Sequence, residues 1–194
     1  MIKIFYCNSS DENIPSEISE QRINKILSAK KDRQAQINTA RALKVGFASF
    51  SVNECDVIYD FGKNGKPFAK NFPDIHFSIS HSDNFSIIAF CNKDIGVDCE
   101  NSTKIISTEI LTRYFSSSEY NDFFDVPLRL WLSKEAYVKY TGAGFALGRN
   151  KLEIPYFDDE LSVNGIWLKR ITLENFECIV CTDSADEISV QKII

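Results

Sequence analysis

The sequence predicts a mixed α+β fold in which helices pack on antiparallel sheets. Apolar residues recur at helical spacing over residues 33–50, with polar residues on the opposite face. Two alternating runs, at 76–80 and 85–90, are separated by the turn-forming residues HSDN, which is typical of a β-hairpin. Further strand-like segments follow Gly144. Because no repeat, low-complexity tract or flexible linker divides these elements, both halves of the chain must share an interface.

The first half of the chain begins with a predicted strand over residues 2–7. A polar loop follows, and then helical patterning over 16–29 leads into the helix described above. Residues 59–66 are rich in turn-forming residues. The lysine of this segment is followed by proline, whereas a phosphate-binding P-loop requires Ser or Thr there, so a P-loop is excluded.

The second half opens with a predicted strand over residues 94–100, in which apolar and polar residues alternate. Helices are predicted at 108–115 and 128–140, and Gly142 is suited to end the second of them. The remaining strand-like segments are residues 152–155, 162–168, 174–181 and 187–194.

The composition is that of a globular protein, with 44% hydrophobic and 25% charged residues. The longest apolar run, residues 85–91, is far shorter than the roughly 20 residues that cross a bilayer, so no membrane span is predicted. The N-terminal residues MIKIFY lack a cleavage site and are interpreted as a strand instead of a signal peptide. We therefore expect a cytoplasmic protein.

Charge is distributed unevenly along the chain. The net charge of −5 argues against a protein that coats nucleic acid. Residues 21–44 nevertheless carry seven basic side chains and one acidic one, a local charge of +6 that leaves −11 for the rest. This segment is either a solvated helix face or a site for a small polyanionic ligand.

The six cysteines do not form an obvious metal site. Cys178 and Cys181 have the spacing of a CxxC pair, but they lie in an apolar strand whose geometry directs them to opposite faces. The chain has only two histidines to add as ligands. Buried, reduced thiols are predicted, which agrees with a reducing compartment.

Asp98 and Glu100 are the first candidates for chemistry. Alternation directs both carboxylates to one face of their strand, while Val97 and Cys99 face the core, and the two acidic residues lie about 6.6 Å apart along the strand. Two neighbouring carboxylates repel each other unless a cation lies between them, and Mg²⁺ held by carboxylates and substrate phosphates would suit them. A solvated strand face is the alternative, and the pair alone slightly favours it.

Glu119 stands three residues after Ser116, the spacing of a capping box in which the glutamate bonds back to the start of its helix. The spacing alone favours this structural role. Ser80 and His81 end a strand at the mouth of the hairpin. A hydroxyl and an imidazole could reach a phosphate there, although a solvated histidine is the commoner case.

The helix around residues 131–144 carries Lys134, Glu135 and Lys139. Glu135 and Lys139 are spaced as a surface ion pair, worth about 0.2–0.5 kcal/mol. The three side chains also provide a general base and two cations within a short distance, which phosphoryl transfer would use. From the helix alone the surface ion pair is the favoured interpretation.

Five motifs occur in order between residues 65 and 144: GKP, FSISHS, IGVDCE, FSSSEY and WLSKEAYVKYTGAG. Together they resemble the 4′-phosphopantetheinyl transferases of the surfactin-synthetase-activating type. The resemblance implies a pseudo-symmetric fold of two halves, residues 1–93 and 94–194, with no separable linker between them. The halves would meet near 91–95, with a coenzyme A cleft between them, and a monomer is expected.

The resemblance also implies an activity. Such enzymes use coenzyme A and Mg²⁺ to transfer the phosphopantetheine arm to a serine of an apo acyl- or peptidyl-carrier protein, and they release adenosine 3′,5′-bisphosphate. It implies Asp98, Glu100 and Glu119 as metal ligands, which for Glu119 differs from the helix cap that the spacing favours. It further implies Glu135 as the general base and Lys139 as the cation that stabilises the departing bisphosphate.

By the same resemblance, seven polar or basic residues would bind coenzyme A. The expected phosphate contacts are Lys66, Ser80, His81 and Lys134, with Lys30, Lys31 and Arg33 at the 3′-phosphate. Two features differ from the family pattern: Gln34 and Gln36 stand where arginine is expected, and segment 120–131, near the carrier-protein surface, is short. The alternatives are a silent relative that binds coenzyme A without transfer and a pure interaction module.

Overall fold

The computed structural model describes residues 1–144 and 152–194. Over these ranges the chain forms five α-helices and ten strands, which confirms the α+β class. The helices are α1 (Glu20–Ser28), α2 (Arg33–Ala48), α3 (Thr108–Tyr114), α4 (Ser117–Asp122) and α5 (Pro127–Thr141). The strands are β1 (Ile2–Cys7), β2 (Tyr59–Phe61), β3 (Pro67–Ala69), β4 (His76–Ser82), β5 (Phe85–Cys91), β6 (Ile95–Asn101), β7 (Glu160–Val163), β8 (Ile166–Leu173), β9 (Phe176–Thr182) and β10 (Ile188–Ile193).

The architecture has two central sheets with helices on their outer faces. The first sheet has the strand order β10-β1-β5-β4, and α2 packs on it through an aromatic cluster that includes Phe47, Phe77 and Phe90. The second sheet has the order β6-β9-β8-β7, and α5 packs on it. A separate hydrophobic core fills the space between the two sheets, where alternate residues of β1 and β5 meet those of β6 and β9.

Strand β9 confirms the prediction for its two cysteines. Cys178 lies in the core between the sheets, whereas Cys181 faces the core beneath α5. Both side chains are fully buried, and both are free thiols. The alternation of strand residues therefore separates the thiols, because both faces of this sheet are covered.

Three details differ from the sequence-based prediction. The strand predicted at 162–168 is wrong, because Asn164 and Gly165 take positive φ values of 53° and 78° and form the tight turn that separates β7 from β8. No strand forms at 152–155. Strand β10 joins β1 in parallel, so the first sheet is mixed, although the other pairings are antiparallel.

Helix α1 is also shorter than the predicted 16–29. Ser19 ends the preceding loop, and its hydroxyl accepts a hydrogen bond from the backbone N–H of Arg22, so the helix begins at Glu20. None of the helices described by the structure is long and apolar enough to cross a membrane. Strand β10 also links the predicted halves, since it follows the second sheet in the chain but belongs to the first. The division at residues 93 and 94 stays a prediction.

Gly96 sets the distance between α5 and β6. A Cβ atom at this position would collide with the carbonyl oxygen of Ala136 and the backbone nitrogen of Tyr140. The absence of a side chain therefore lets the helix backbone lie directly on the strand. This contact brings the last turns of α5 next to the acidic residues of β6.

Candidate active site

Strands β4 and β6 lie side by side at the junction of the two sheets, and polar side chains connect them. The Ser80 hydroxyl donates a hydrogen bond to Oδ1 of Asp98 over 2.7 Å. The Lys139 ammonium donates to the same oxygen over 2.7 Å and to the carbonyl of Ile79 over 3.2 Å. A serine of β4, an acid of β6 and a lysine of α5 thus meet at one oxygen atom.

Glu100 lies further along the same side of β6. Its Oε1 atom accepts hydrogen bonds from the Ser82 hydroxyl and from the backbone N–H of Asn101, and its Oε2 atom is 3.6 Å from the Lys104 ammonium. Val97 and Cys99 face the core between the sheets, as the alternation predicts. Asp98 and Glu100 therefore both face the β4 serines, and neither lies on a fully solvated strand face.

Helix α5 contributes Glu135 and Lys139 to a groove of about 240 Å³. The groove is also lined by Lys66 and by Ser78 and Ile79 of β4. Glu135 is only 4% exposed, so the interpretation of Glu135 and Lys139 as a solvated surface pair is wrong. Lys139 binds Asp98, and Glu135, one turn earlier on α5, lines the same groove as Lys139.

Lys66 connects three elements beside this groove. Its ammonium donates hydrogen bonds to the carbonyl oxygens of Ile95 and Tyr140 over 3.0 and 3.1 Å. Burial lowers the pKa of Lys66 below its usual range. The side chain therefore ties the start of β6 to the end of α5 while it lines the groove.

Glu119 and Lys134 lie elsewhere and form a buried ion pair of 2.5 Å, with each side chain only 2% exposed. Glu119 also completes the capping box predicted from its spacing, because its Oε2 atom accepts the backbone N–H of Ser116. Its Oε1 atom accepts the N–H of Ile154, and the Lys134 ammonium donates to the carbonyl of Leu152. The local interpretation as a helix cap is confirmed.

These contacts separate two expected ligands from the groove. Every oxygen of Glu119 is already bonded within the protein, and Lys134 is buried with its ammonium directed to Glu119. Neither residue lines the groove. Across residues 1–144 and 152–194 no group of three or more His, Cys, Asp or Glu side chains is arranged to hold a metal ion.

The two carboxylates of β6 fit Mg²⁺ as ligands. Asp98 and Glu100 offer carboxylate oxygens from the same side of one strand. Mg²⁺ is commonly held by one or two carboxylates, with water and substrate phosphates completing its octahedral shell. Two acidic residues beside a groove therefore fit a metal that binds together with a phosphorylated ligand, and they do not resemble a closed protein cage.

A second cavity, of about 330 Å³, lies next to the first along β4. Ile79 and Pro67 line both cavities, and α1 contributes Arg22 and Lys25 to the second. Sequence reasoning did not select these two residues. Their spacing of three on one helix, which places both on the same face, is a signal that could have found them.

The basic residues expected at the 3′-phosphate lie in a different place. Lys30 and Lys31 are exposed between α1 and α2, and Arg33 begins α2, whereas Arg22 is buried against α2 and donates to the carbonyl of Gln36. Burial lowers the pKa of the Arg22 guanidinium, although an arginine stays charged at neutral pH. Arg22 and Lys25 line the second cavity, whereas Lys30, Lys31 and Arg33 line neither of the two.

His81 lies close to the start of α2. Its Nε2 atom is 3.4 Å from the Gln36 amide nitrogen and 3.9 Å from a carboxylate oxygen of Asp32. Partial burial lowers the pKa of His81, and the nearby charges of Lys139 and Lys25 add to this effect against the opposing charge of Asp32. The imidazole is therefore neutral at pH 7, where it can donate a hydrogen bond to an anion.

Comparison with known proteins agrees with this geometry. Residues 94–184 match the family model of the 4′-phosphopantetheinyl transferase superfamily, and this region includes the acidic strand β6 and helix α5. The matched region is just under half of the chain, and it is similar to members of that superfamily. The family resemblance of the sequence motifs is thereby confirmed.

Individual relatives extend the similarity toward the N-terminus. The chain is 35% identical over 118 residues to the 4′-phosphopantetheinyl transferase Sfp of Bacillus subtilis, which covers 57% of this chain and 52% of that protein. It is 33% identical over 138 residues to psf-1 of Bacillus pumilus, covering 67% and 57%. An L-aminoadipate-semialdehyde dehydrogenase-phosphopantetheinyl transferase of Candida glabrata is 27% identical over 153 residues, covering 70% and 59%. The chain thus spans just over half the length of these relatives.

Proposed function

We propose that this protein transfers the 4′-phosphopantetheine arm of coenzyme A to a serine hydroxyl of an apo acyl- or peptidyl-carrier protein. The reaction depends on Mg²⁺ and releases adenosine 3′,5′-bisphosphate. One observation carries the proposal: Glu135 and Lys139 line a groove at whose edge Lys139 binds Asp98, within the region that matches the transferase family. A buried carboxylate, a cation and a pair of strand acids are the groups that phosphoryl transfer requires.

We assign Asp98 and Glu100 as the protein ligands of the metal. When bound, Mg²⁺ would neutralise the pyrophosphate of coenzyme A and make its phosphorus more electrophilic. Glu119, which the resemblance implied as a third ligand, instead caps α4 and pairs with Lys134. Glu119 and Lys134 therefore support helix α5 from behind in this proposal.

Two residues of α5 are assigned to the chemical step: one accepts a proton, and the other stabilises the leaving group. Glu135 accepts the proton of the carrier serine as the serine oxygen attacks the phosphorus that bears the pantetheine arm. The bond between that phosphorus and the bridging oxygen breaks, and its electron pair leaves with the bisphosphate. Lys139, one helical turn further, stabilises the negative charge that develops on the leaving group.

Coenzyme A would lie along β4 across both cavities. The pyrophosphate would contact Ser80 and the neutral imidazole of His81, with Lys66 at the groove wall. The nucleotide end would reach the cavity lined by Arg22 and Lys25, whose charges suit the 3′-phosphate. Lys30, Lys31 and Arg33 stay as predicted outer contacts, because their loop adds positive charge near the same end of the cleft.

One chain supplies every element of this cleft, so the proposed active form is a monomer. Helix α1 and strand β4 come from the first half of the chain, while β6 and α5 come from the second. The six free thiols, five of them buried, agree with the proposed cytoplasmic location.

The test of transfer uses the intact protein with coenzyme A, Mg²⁺ and several apo carrier proteins. We expect intact mass spectrometry to show the addition of one phosphopantetheine arm to at least one carrier. A protein that binds coenzyme A but modifies no carrier would contradict the proposal and favour a silent coenzyme A-binding relative. A protein that shows no divalent-dependent binding of coenzyme A would favour an interaction module.

The role of Glu135 is tested by Glu135→Gln. This change keeps the shape of the side chain and removes its basicity, so turnover should fall about 10²- to 10⁴-fold. The affinity for coenzyme A should change little, since the proposed function of Glu135 is proton transfer. Turnover equal to that of the wild type would refute the assignment of Glu135 as the base.

A further inference from the structure

A row of three serines connects β4 to β6. Ser78, Ser80 and Ser82 alternate along β4 and all face β6, whereas Phe77 faces the aromatic core beneath α2. The Ser78 hydroxyl accepts the backbone N–H of Val97 over 3.0 Å. The other two hydroxyls donate to the carboxylates of β6.

The positions of the contacts match along the two strands. Ser80 bonds to Asp98 and Ser82 bonds to Glu100, so a step of two residues on β4 corresponds to a step of two residues on β6. Both strands therefore run in the same direction here, and side chains connect them. Each of the two acids assigned to the metal has its own serine donor.

From this geometry we propose that Ser82 is a positioning residue that orients the Glu100 carboxylate toward the metal. The inference rests on the proposed function, because it takes Asp98 and Glu100 as the ligands. Hydrogen bonds to ligating carboxylates fix their orientation, and loss of such a bond costs about 10- to 100-fold in metal affinity or activity.

The hydrogen bond from Ser82 matters because the Glu100 carboxylate also interacts with a cation, Lys104, on its other oxygen. The Lys104 ammonium is 3.6 Å from Oε2, and its side chain is 55% exposed. An exposed pair of this kind is weak and does not define one geometry. Ser82 is 8% exposed and bonds to Oε1 from the β4 side, so it holds Glu100 at the junction with Asp98.

The test measures binding of Mn²⁺ in the presence of coenzyme A by electron paramagnetic resonance, without a carrier protein. Ser82→Ala should weaken Mn²⁺ binding about 10- to 100-fold, and Ser82→Thr, which keeps the hydroxyl, should restore most of it. The control is Ser86→Ala on the neighbouring strand β5, where the buried hydroxyl donates to the carbonyl of Ala35. It removes a buried serine hydrogen bond without touching a carboxylate or the groove, so it should lower the melting temperature and leave Mn²⁺ affinity unchanged.

Two results would overturn the inference alone. The first is wild-type Mn²⁺ affinity in Ser82→Ala, and the second is an equal loss of affinity in Ser86→Ala, which would show that loss of packing in the first sheet is the cause. If the wild-type protein itself binds no Mn²⁺ with coenzyme A, the metal site of the proposed function fails together with the inference. Titration of turnover with Mg²⁺ gives a second measurement, in which Ser82→Ala should raise the Mg²⁺ concentration for half-maximal rate more than it lowers kcat.

Discussion

Helix α5 makes two ion pairs between lysine and an acidic residue, and their environments differ sharply. Lys134 and Glu119 are 2.5 Å apart with both side chains 2% exposed. Lys139 and Asp98 are 2.7 Å apart with 29% and 12% of their side chains exposed. The two lysines are five residues apart on one helix, so they project toward different sides.

The comparison shows that burial separates a structural pair from one that a ligand can reach. The first pair is also bonded to the backbone at Leu152 and Ile154, and water does not reach it. The second pair borders the groove. The same pairing of an ammonium with a carboxylate therefore has two different roles, because only the pair of Lys139 and Asp98 is near solvent.

The largest expected loss of stability follows from breaking the buried ion pair of Lys134 and Glu119. Lys134→Met leaves the Glu119 carboxylate buried without its cation, and the free energy of unfolding should fall by about 3–5 kcal/mol. Urea denaturation measures this change. The control, Lys134→Met combined with Glu119→Gln, removes both charges and keeps the helix cap, so most of the stability should return. Losses that simply add would contradict a tight interaction between the two residues.

A smaller effect is expected at Gly96, on which the position of the second pair depends. In Gly96→Ala the new methyl group would push α5 away from β6, so the free energy of unfolding should fall by about 1–3 kcal/mol. Turnover should fall as well, because Lys139 and Glu135 would move relative to Asp98. Gly165→Ala, in the turn between β7 and β8, is the control for glycine loss. Unchanged turnover in a folded Gly96→Ala protein would indicate that the close contact does not define the site.

The smallest effect on stability is expected for the half-open pair itself. Lys139→Met should lower the free energy of unfolding by only about 0–1 kcal/mol, since water reaches the lysine and Ser80 still binds Asp98. Transfer of the phosphopantetheine arm should nevertheless be lost, in contrast to the stability effect of Lys134→Met. A loss of stability as large as that of Lys134→Met would erase the distinction between the two pairs.

The sequence was most informative where a short pattern determines a local structure. The alternation in β6 predicted that Asp98 and Glu100 share a side, and the Ser116 to Glu119 spacing predicted the capping box. The turn at Asn164 and Gly165 was missed although its residues are typical of a two-residue hairpin. In each case the interactions involved are between near neighbours in the chain.

Contacts between distant residues needed the tertiary structure. Lys134 and Lys139 are indistinguishable by residue type and lie on one predicted helix, but only the packing of α5 shows which of them is buried with Glu119. Similarly, the spacing of Arg22 and Lys25 places both on one face of a helix, but only the tertiary structure shows that this face lines the second cavity.

The sequence by itself therefore determined the α+β class, the order of the motifs and the family resemblance. These follow from periodicity and residue identity, which are local properties of the chain. The tertiary structure decided which charges meet at the groove, which are buried together, and which serine binds each carboxylate. Those outcomes depend on the distances between elements, and at α5 the distance is set by the missing side chain of Gly96.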